Sequence, residues 1–174
     1  MALLAEEIVE EWLNRNGYFT IRGIKLGVHE IDLLALAVRG SAIEARHVEV
    51  QASINAVSYL CPLPKASQKE SGRKPMSMKQ RTPLELADGV KEWVNKKYDH
   101  DAKKRLRKAL FQGEWKYELV IHRVKFPEEL DLIEQHGIQI HRLDDIVKSL
   151  SEGGTLLRSA SGADLLELVM LGRE

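Results

Sequence analysis

The sequence lacks the features that mark several classes of protein. Its 174 residues contain one cysteine, Cys61, which excludes an internal disulfide framework and a cysteine-based zinc cluster. No uncharged run reaches the roughly 20 apolar residues that a transmembrane helix needs. The N-terminal residues are acidic and amphipathic, unlike a secretory signal or a transit peptide. These absences predict a globular cytoplasmic protein that does not contact membranes.

A net charge of one sign is also missing, because 26 basic residues balance 26 acidic ones. Taken alone, this neutrality argues against a nucleic-acid-binding protein. The charges are unevenly distributed, however: residues 65–108 carry 14 basic and 6 acidic side chains, whereas residues 1–64 carry 5 and 8. Such segregation predicts a basic segment that contacts phosphates, and the alternative is a set of solvated helix faces. The candidate nucleic-acid-binding residues are Lys65, Lys69, Arg73, Lys74, Lys79 and Arg81.

Hydrophobic periodicity and turn residues predict the order of helices and strands. The expected elements are an N-terminal helix ending at Asn16-Gly17, strands at 18–26, 28–38 and 45–52, a loop over 53–79, a helix that starts at Pro83 with Thr82 as its cap and Glu85 as capping-box partner, a basic helix over 101–111, a strand at 115–122, a helix at 127–135, a strand at 138–141, and helices at 144–150 and 162–171.

This order predicts one α/β (α+β) domain over residues 1–174, in which a central mixed sheet is flanked by helices. A basic loop–helix segment at 65–108 and a helical C-terminal tail at 143–174 complete it. The first three strands, joined by tight turns, should be antiparallel neighbours. The strand at 115–122 should then lie beside the third strand after a helical crossover.

Two carboxylates lie inside strands where a core would favour apolar residues. Asp32 belongs to the strand at 28–38, and Glu49 belongs to the strand at 45–52. Strand alternation places Glu49 and Gln51 on one face. Burying two ionised carboxylates together is costly unless a cation compensates, and Mg²⁺ prefers such oxygen ligands, with a backbone carbonyl such as that of Val50. The alternatives are that both acids face solvent, or that they pair with Arg22 or Arg46.

The run Glu6…Gly17-Tyr18…Glu30-Ile31-Asp32-Leu33-Leu34…Glu49-Val50-Gln51 resembles the PD-(D/E)XK phosphodiesterase superfamily, in particular its restriction-endonuclease-like and Holliday-junction-resolvase-like branch. The resemblance covers the first 52 residues and the helix–strand order that follows. It implies a restriction-endonuclease-like α-β-β-β-α-β core and a nuclease that cleaves DNA with Mg²⁺ or Mn²⁺, with RNA as an alternative substrate. It also implies that Asp32 and Glu49 bind the metal, and that Glu6, with Glu7 as alternative, is the glutamate of the first helix.

The sequence departs from that pattern at Gln51, where the superfamily usually has a lysine that positions water and stabilises developing charge. Glutamine can orient water but supplies no charge. Lys79 and Arg81 are candidates to supply the missing cation. The departure also keeps two other functions open, a non-catalytic nucleic-acid-binding protein on a nuclease-like fold and a protein-interaction subunit that binds an acidic partner. A homodimer is a further expectation, because enzymes that cut two strands are often symmetric.

Three histidines and the cysteine form a competing set of chemical groups. His29, His47 and His122 are candidates for a His/carboxylate transition-metal site, and the alternative is that each is a hydrogen-bonded strand residue. His47 shares a face with Glu49 and is expected to line the rim of the site. Cys61 lies among apolar residues with no base beside it in the sequence, which favours packing over a nucleophilic role.

Overall fold

A computed structural model describes residues 2–53 and 57–157 of the chain. The elements of these residues, in chain order, are α1 (Ala2–Arg15), β1 (Phe19–Leu26), β2 (His29–Arg39), β3 (Ala42–Gln51), α2 (Lys65–Ser71), α3 (Pro83–Val94), a π-helical turn (Asn95–Asp99), α4 (Asp101–Leu110), β4 (Trp115–Ile121), α5 (Glu128–Gln135), β5 (Ile138–Arg142) and α6 (Leu143–Ser151).

The five strands form one mixed sheet in the order β1-β2-β3-β4-β5. Strands β1, β2 and β3 are antiparallel neighbours, joined by tight turns at Gly27 and Gly40 that both have positive φ. Strand β4 is parallel to β3, and β5 is parallel to β4. The predicted antiparallel triplet and the crossover that places the fourth strand beside the third are therefore confirmed.

Helices cover both faces of the sheet, so the predicted mixed α/β class is confirmed. On one face α1 and α6 pack against the sheet through side chains such as Leu13, Val48 and Ile146. On the other face α3, the π-helical turn and α5 pack against β4 and β5, with Trp93 and Leu119 in that second core. Burial of these two apolar layers holds the sheet between its helices. No helix in the described ranges is long and apolar enough to cross a bilayer.

The start of α3 follows the predicted capping box. The Glu85 backbone N–H donates to Thr82 Oγ1 at 3.2 Å, and the Thr82 N–H donates to Glu85 Oε2 at 2.9 Å. Pro83 occupies the first helical position, where its missing N–H costs nothing. A strong local motif, readable from the sequence, thus marks this boundary.

Three local predictions need correction. The stretch predicted as loop over 53–79 contains α2, because Pro64 begins the helix and Gly72, with φ 65°, ends it. Strand β3 begins at Ala42 and not at residue 45, since its pairing with β2 continues to Arg39↔Ala42 beside the turn. The π-helical turn was not predicted at all, and it connects α3 directly to α4. The predicted helix at 162–171 lies outside the described residues.

Candidate functional site

Asp32 and Glu49 come together where β2 and β3 separate. The β2–β3 ladder ends at Leu33↔Val48, and beyond it the Val50 N–H donates to Asp32 Oδ2 at 2.8 Å. The ammonium of Lys97 lies 2.6 Å from Glu49 Oε2 and 4.0 Å from Asp32 Oδ2. The two carboxylates therefore converge on one cation, and neither pairs with Arg22 or Arg46.

Glu49 is fully buried and accepts three hydrogen bonds. Besides Lys97, its carboxylate accepts from His47 Nε2 at 3.0 Å and from Lys103 Nζ at 2.9 Å. Arg107 Nη1 donates to His47 Nδ1 at 2.8 Å. Because a guanidinium only donates, Nδ1 is the acceptor and the proton of the neutral imidazole is on Nε2. His47 is thus buried beneath the site and does not line its rim.

The two carboxylates have opposite proton affinities. Burial, and next the charge of Glu49, raise the pKa of Asp32 to about 7. Burial would also raise the pKa of Glu49, but the hydrogen bond from His47 and the charge of Lys97 outweigh it and lower that pKa to about 2. Burial lowers the pKa of His47 to about 4, consistent with its neutral form. At neutral pH one carboxylate is fully ionised and the other is close to its midpoint.

The cations of the site come from two adjoining elements that follow α3. Lys97 lies in the π-helical turn, which Tyr98 anchors by donating from its hydroxyl to the Glu118 carbonyl at 2.8 Å. Lys103 and Arg107 are four residues apart in α4, so both face the sheet and both are buried. These three residues were not predicted as part of the site. The i, i+4 spacing was the available signal, but nothing in the sequence indicated which face α4 buries.

The α1 glutamates differ in their surroundings. Glu6 is half-buried, and burial followed by the charge of Glu30 raises its pKa. The charge of Glu6 also contributes to the raised pKa of Asp32. Glu7 instead lies 3.4 Å from Arg22. Of the two alternatives, Glu6 is therefore the one whose charge acts on the carboxylate pair.

Gln51 ends β3 and is half-buried beside a large cavity. The cavity has a volume of about 1060 Å³, and both Gln51 and Lys97 belong to its wall. Neither carboxylate belongs to that wall, so Lys97, whose side chain is 23% exposed, is the residue that contacts both the cavity and the carboxylate pair.

The six predicted basic contact residues differ in exposure. Four of them are exposed, and we refer to these four as the exposed lysines: Lys65, Lys69, Lys74 and Lys79. Arg73 is half-buried and forms an ion pair with Glu85.

Arg81 does not belong on that surface, which corrects the prediction. Its side chain is fully buried, lies 3.3 Å from Glu129 and donates to the Cys61 carbonyl at 2.8 Å. It therefore anchors the loop before α2 to α5. Neither Arg81 nor Lys79 is among the residues that contact Asp32 or Glu49, so the cation expected from them comes from Lys97.

The other histidines predicted as ligands, His29 and His122, do not form the His/carboxylate metal site. The rings of His29 and His100 lie 3.6 Å apart, and His122 Nδ1 lies 2.9 Å from the Ser53 carbonyl. Within the described part of the chain, no three His, Cys, Asp or Glu side chains are arranged to hold a metal. Mg²⁺ commonly takes only one or two protein carboxylates and fills its other positions with water and phosphate oxygens. The two carboxylates of Asp32 and Glu49 match this usual coordination of Mg²⁺.

Comparison with known proteins gives no functional relative. No family model matches the chain, and no curated protein is significantly similar to it. The chain is similar to a solved structure described as a protein of unknown function, AF1548, at 16% sequence identity and a TM-score of 0.48. That similarity covers 99% of this chain and 79% of the other.

Proposed function

We propose that this protein is a metal-dependent nuclease that hydrolyses phosphodiester bonds in DNA. The observation that carries the proposal is the convergence of Asp32 and Glu49, from two adjacent strands, on one cation at the wall of a cavity. The element order supports it, since one helix, three antiparallel strands, helices and a parallel strand follow each other as in a restriction-endonuclease-like core.

In this proposal Asp32 and Glu49 hold Mg²⁺, for which Mn²⁺ is a substitute. When bound, the ion supplies a Lewis acid that polarises the phosphodiester and lowers the pKa of an attacking water. Lys97 contacts both carboxylates, so its ammonium would have to give up these contacts for Asp32 and Glu49 to hold the ion together. Lys97 is partly exposed and borders the cavity, so its flexible side chain has room to move aside.

The other polar residues of the site then have distinct roles. The Gln51 amide, at the end of β3, orients the attacking water, and Glu6 accepts a hydrogen bond from it or supports a second ion. Lys97, displaced but still adjacent, supplies the positive charge that Gln51 does not, and stabilises charge that develops on the phosphate. His47 and Lys103 stay beneath Glu49 and keep its carboxylate ionised and oriented.

Substrate contact is assigned to the exposed lysines together with Arg73. Cations at the surface hold phosphates without reading the base sequence, so the contact is compatible with DNA and with RNA.

The test is cleavage by the purified full chain of single-stranded, duplex and branched DNA with Mg²⁺ or Mn²⁺. We expect Asp32→Ala to lose at least about 100-fold in rate, because it removes a ligand whose charge acts on the transition state. Asp88→Ala is the matched control, since Asp88 is an exposed aspartate on α3. Equal rates for Asp32→Ala and the wild type would refute the assignment.

A second candidate function is a non-catalytic nucleic-acid-binding protein. The observation that favours it is the closed network around Glu49, whose two oxygens already accept from His47, Lys97 and Lys103. Such a network satisfies the carboxylate without a metal. DNA binding in EDTA, with no cleavage of any substrate in Mg²⁺ or Mn²⁺, would support this candidate over the nuclease.

A further inference from the structure

The cavity beside the carboxylate pair is larger and less polar than contact with a sugar–phosphate backbone requires. Its volume of about 1060 Å³ lies at the upper end of the range for small-ligand sites, which is about 300–1,000 Å³. Backbone phosphates are bound by cations on an open surface. A partly open, mainly apolar cavity next to such a surface is instead suited to a planar, weakly polar group.

The cavity wall combines an apolar part with a few polar groups. Leu60, Leu63 and Trp93 are buried core residues that contribute the apolar part. Gln68 and Asn95, whose side chains carry amides, also border it, and the Gln68 amide nitrogen donates to the Leu63 carbonyl. Purine and pyrimidine bases present apolar faces and an edge of donors and acceptors, which amide side chains can bind.

Lys97 connects this apolar space to the proposed reaction site, because it belongs to the cavity wall and contacts both carboxylates. Lys65 and Lys96 add positive charge to the wall, against the carboxylate of Glu92. A strand whose phosphate reaches Asp32 would therefore pass these cations and have its neighbouring base beside the cavity. In a continuous duplex that base is stacked and paired, so it cannot enter without leaving the helix.

We propose that the cavity binds one unpaired nucleotide of the nucleic-acid substrate. The inference rests on the proposed nuclease function and narrows it to substrates with a single-stranded, bulged or flipped nucleotide next to the scissile bond. The occupant is identified by Lys97, which belongs to the cavity wall and contacts the carboxylate pair, and by the further positive charge of Lys65 and Lys96 in that wall.

The test compares two fluorescein-labelled DNA duplexes that differ only in one bulged nucleotide, with binding followed by anisotropy in EDTA to prevent cleavage. We expect the wild type to bind the bulged duplex about tenfold more tightly than the paired one. The variant Met76→Trp fills the cavity from a half-exposed position and should reduce that preference to about twofold or less. Met78→Trp is the matched control, because Met78 is exposed in the same loop and does not belong to the cavity wall.

Equal binding of the two duplexes by the wild type would overturn the proposal, as would an unchanged preference in Met76→Trp. The wild-type comparison does not depend on whether the variant folds. Cleavage of the same duplexes in Mg²⁺ separates this inference from the proposed function. Cleavage without any preference in binding refutes the cavity and keeps the nuclease. A preference in binding, together with no cleavage of these duplexes or of single-stranded and branched DNA, supports the cavity and refutes the nuclease.

Discussion

Replacing Asp32 with asparagine should stabilise the protein at neutral and alkaline pH. Asparagine is close in shape to a protonated aspartic acid, and its side-chain oxygen can still accept from the Val50 N–H. The folded protein raises the pKa of Asp32 from 3.8 to about 7, chiefly by burial. Each unit of pKa corresponds to about 1.4 kcal/mol, so ionising this carboxyl in the fold costs at most about 4 kcal/mol.

The sign and the pH window follow from the direction of that shift. Below about pH 4, Asp32 is protonated in the folded and the unfolded chain, and it adds no penalty. Between about pH 4 and 7 only the unfolded chain releases the proton, so the stability of the wild type falls as pH rises. Above about pH 7 the penalty is constant. The difference between Asp32→Asn and wild type should therefore grow from near zero to at most about 4 kcal/mol across this window.

Urea unfolding, followed by tryptophan fluorescence in EDTA at pH values from 4 to 9, measures this difference directly. Other titrations, such as that of His47, occur in both proteins and largely cancel. Asp88→Asn serves as the control and should show no such pH dependence, because Asp88 is exposed. Adding Mg²⁺ at pH 8 should stabilise the wild type and leave Asp32→Asn unchanged. A difference that is flat with pH, or a wild type more stable than Asp32→Asn at pH 8, would refute the reasoning.

Three further predictions concern residues outside the carboxylate pair. Arg81→Met should lower the free energy of unfolding by about 3 kcal/mol in urea titrations, because it leaves the buried Glu129 without its cation; a loss below about 1 kcal/mol would contradict this. Thr82→Ala removes the side-chain acceptor for the Glu85 N–H and should cost about 1 kcal/mol, whereas Thr82→Ser, as control, should cost little. If the exposed lysines supply the contacts to duplex DNA, the slope of log K against log salt should be about −4. A slope near zero would argue against phosphate contact, and one near −12 would mean that nearly all cations of residues 65–108 take part.

The first third of the chain could be predicted closely from its sequence. Its helix ends at an asparagine–glycine pair, and its strands are separated by glycine turns. Its apolar residues have the helical period in the helix and the alternating period in the strands. The strand register follows from the same pattern, since a shift by one residue would turn Leu33 and Val48 away from the core. The turn residues and the apolar pattern therefore predict the same strand register. That register alone places Asp32 beside Glu49.

The packing of α4 against the carboxylate pair could not be predicted in the same way. Helix α4 has few apolar residues, with Ala102, Leu106, Ala109 and Leu110 alongside five cations. A helix of this composition usually lies at the surface, and the sequence predicts phosphate contact for the basic segment, with solvated helix faces as the alternative. The choice of buried face depends on a carboxylate more than 50 residues earlier in the chain, which no local pattern contains.

The buried carboxylate and the buried cations explain each other. Glu49 alone would be too costly to ionise in the core, and Lys103 and Arg107 alone would be too costly to bury. Packed together, Lys103 pairs with Glu49 directly and Arg107 is connected to it through His47, so each buried charge has hydrogen-bond partners. Part of the positive charge of residues 65–108 is therefore buried inside the protein and cannot contact a substrate. The charge that remains for a substrate lies on the exposed lysines, on Lys96 in the cavity wall, and on four further exposed cations, Lys91, Lys104, Arg105 and Lys108. Phosphate contact should therefore involve the exposed surface of the basic segment and not the buried cations beneath Glu49.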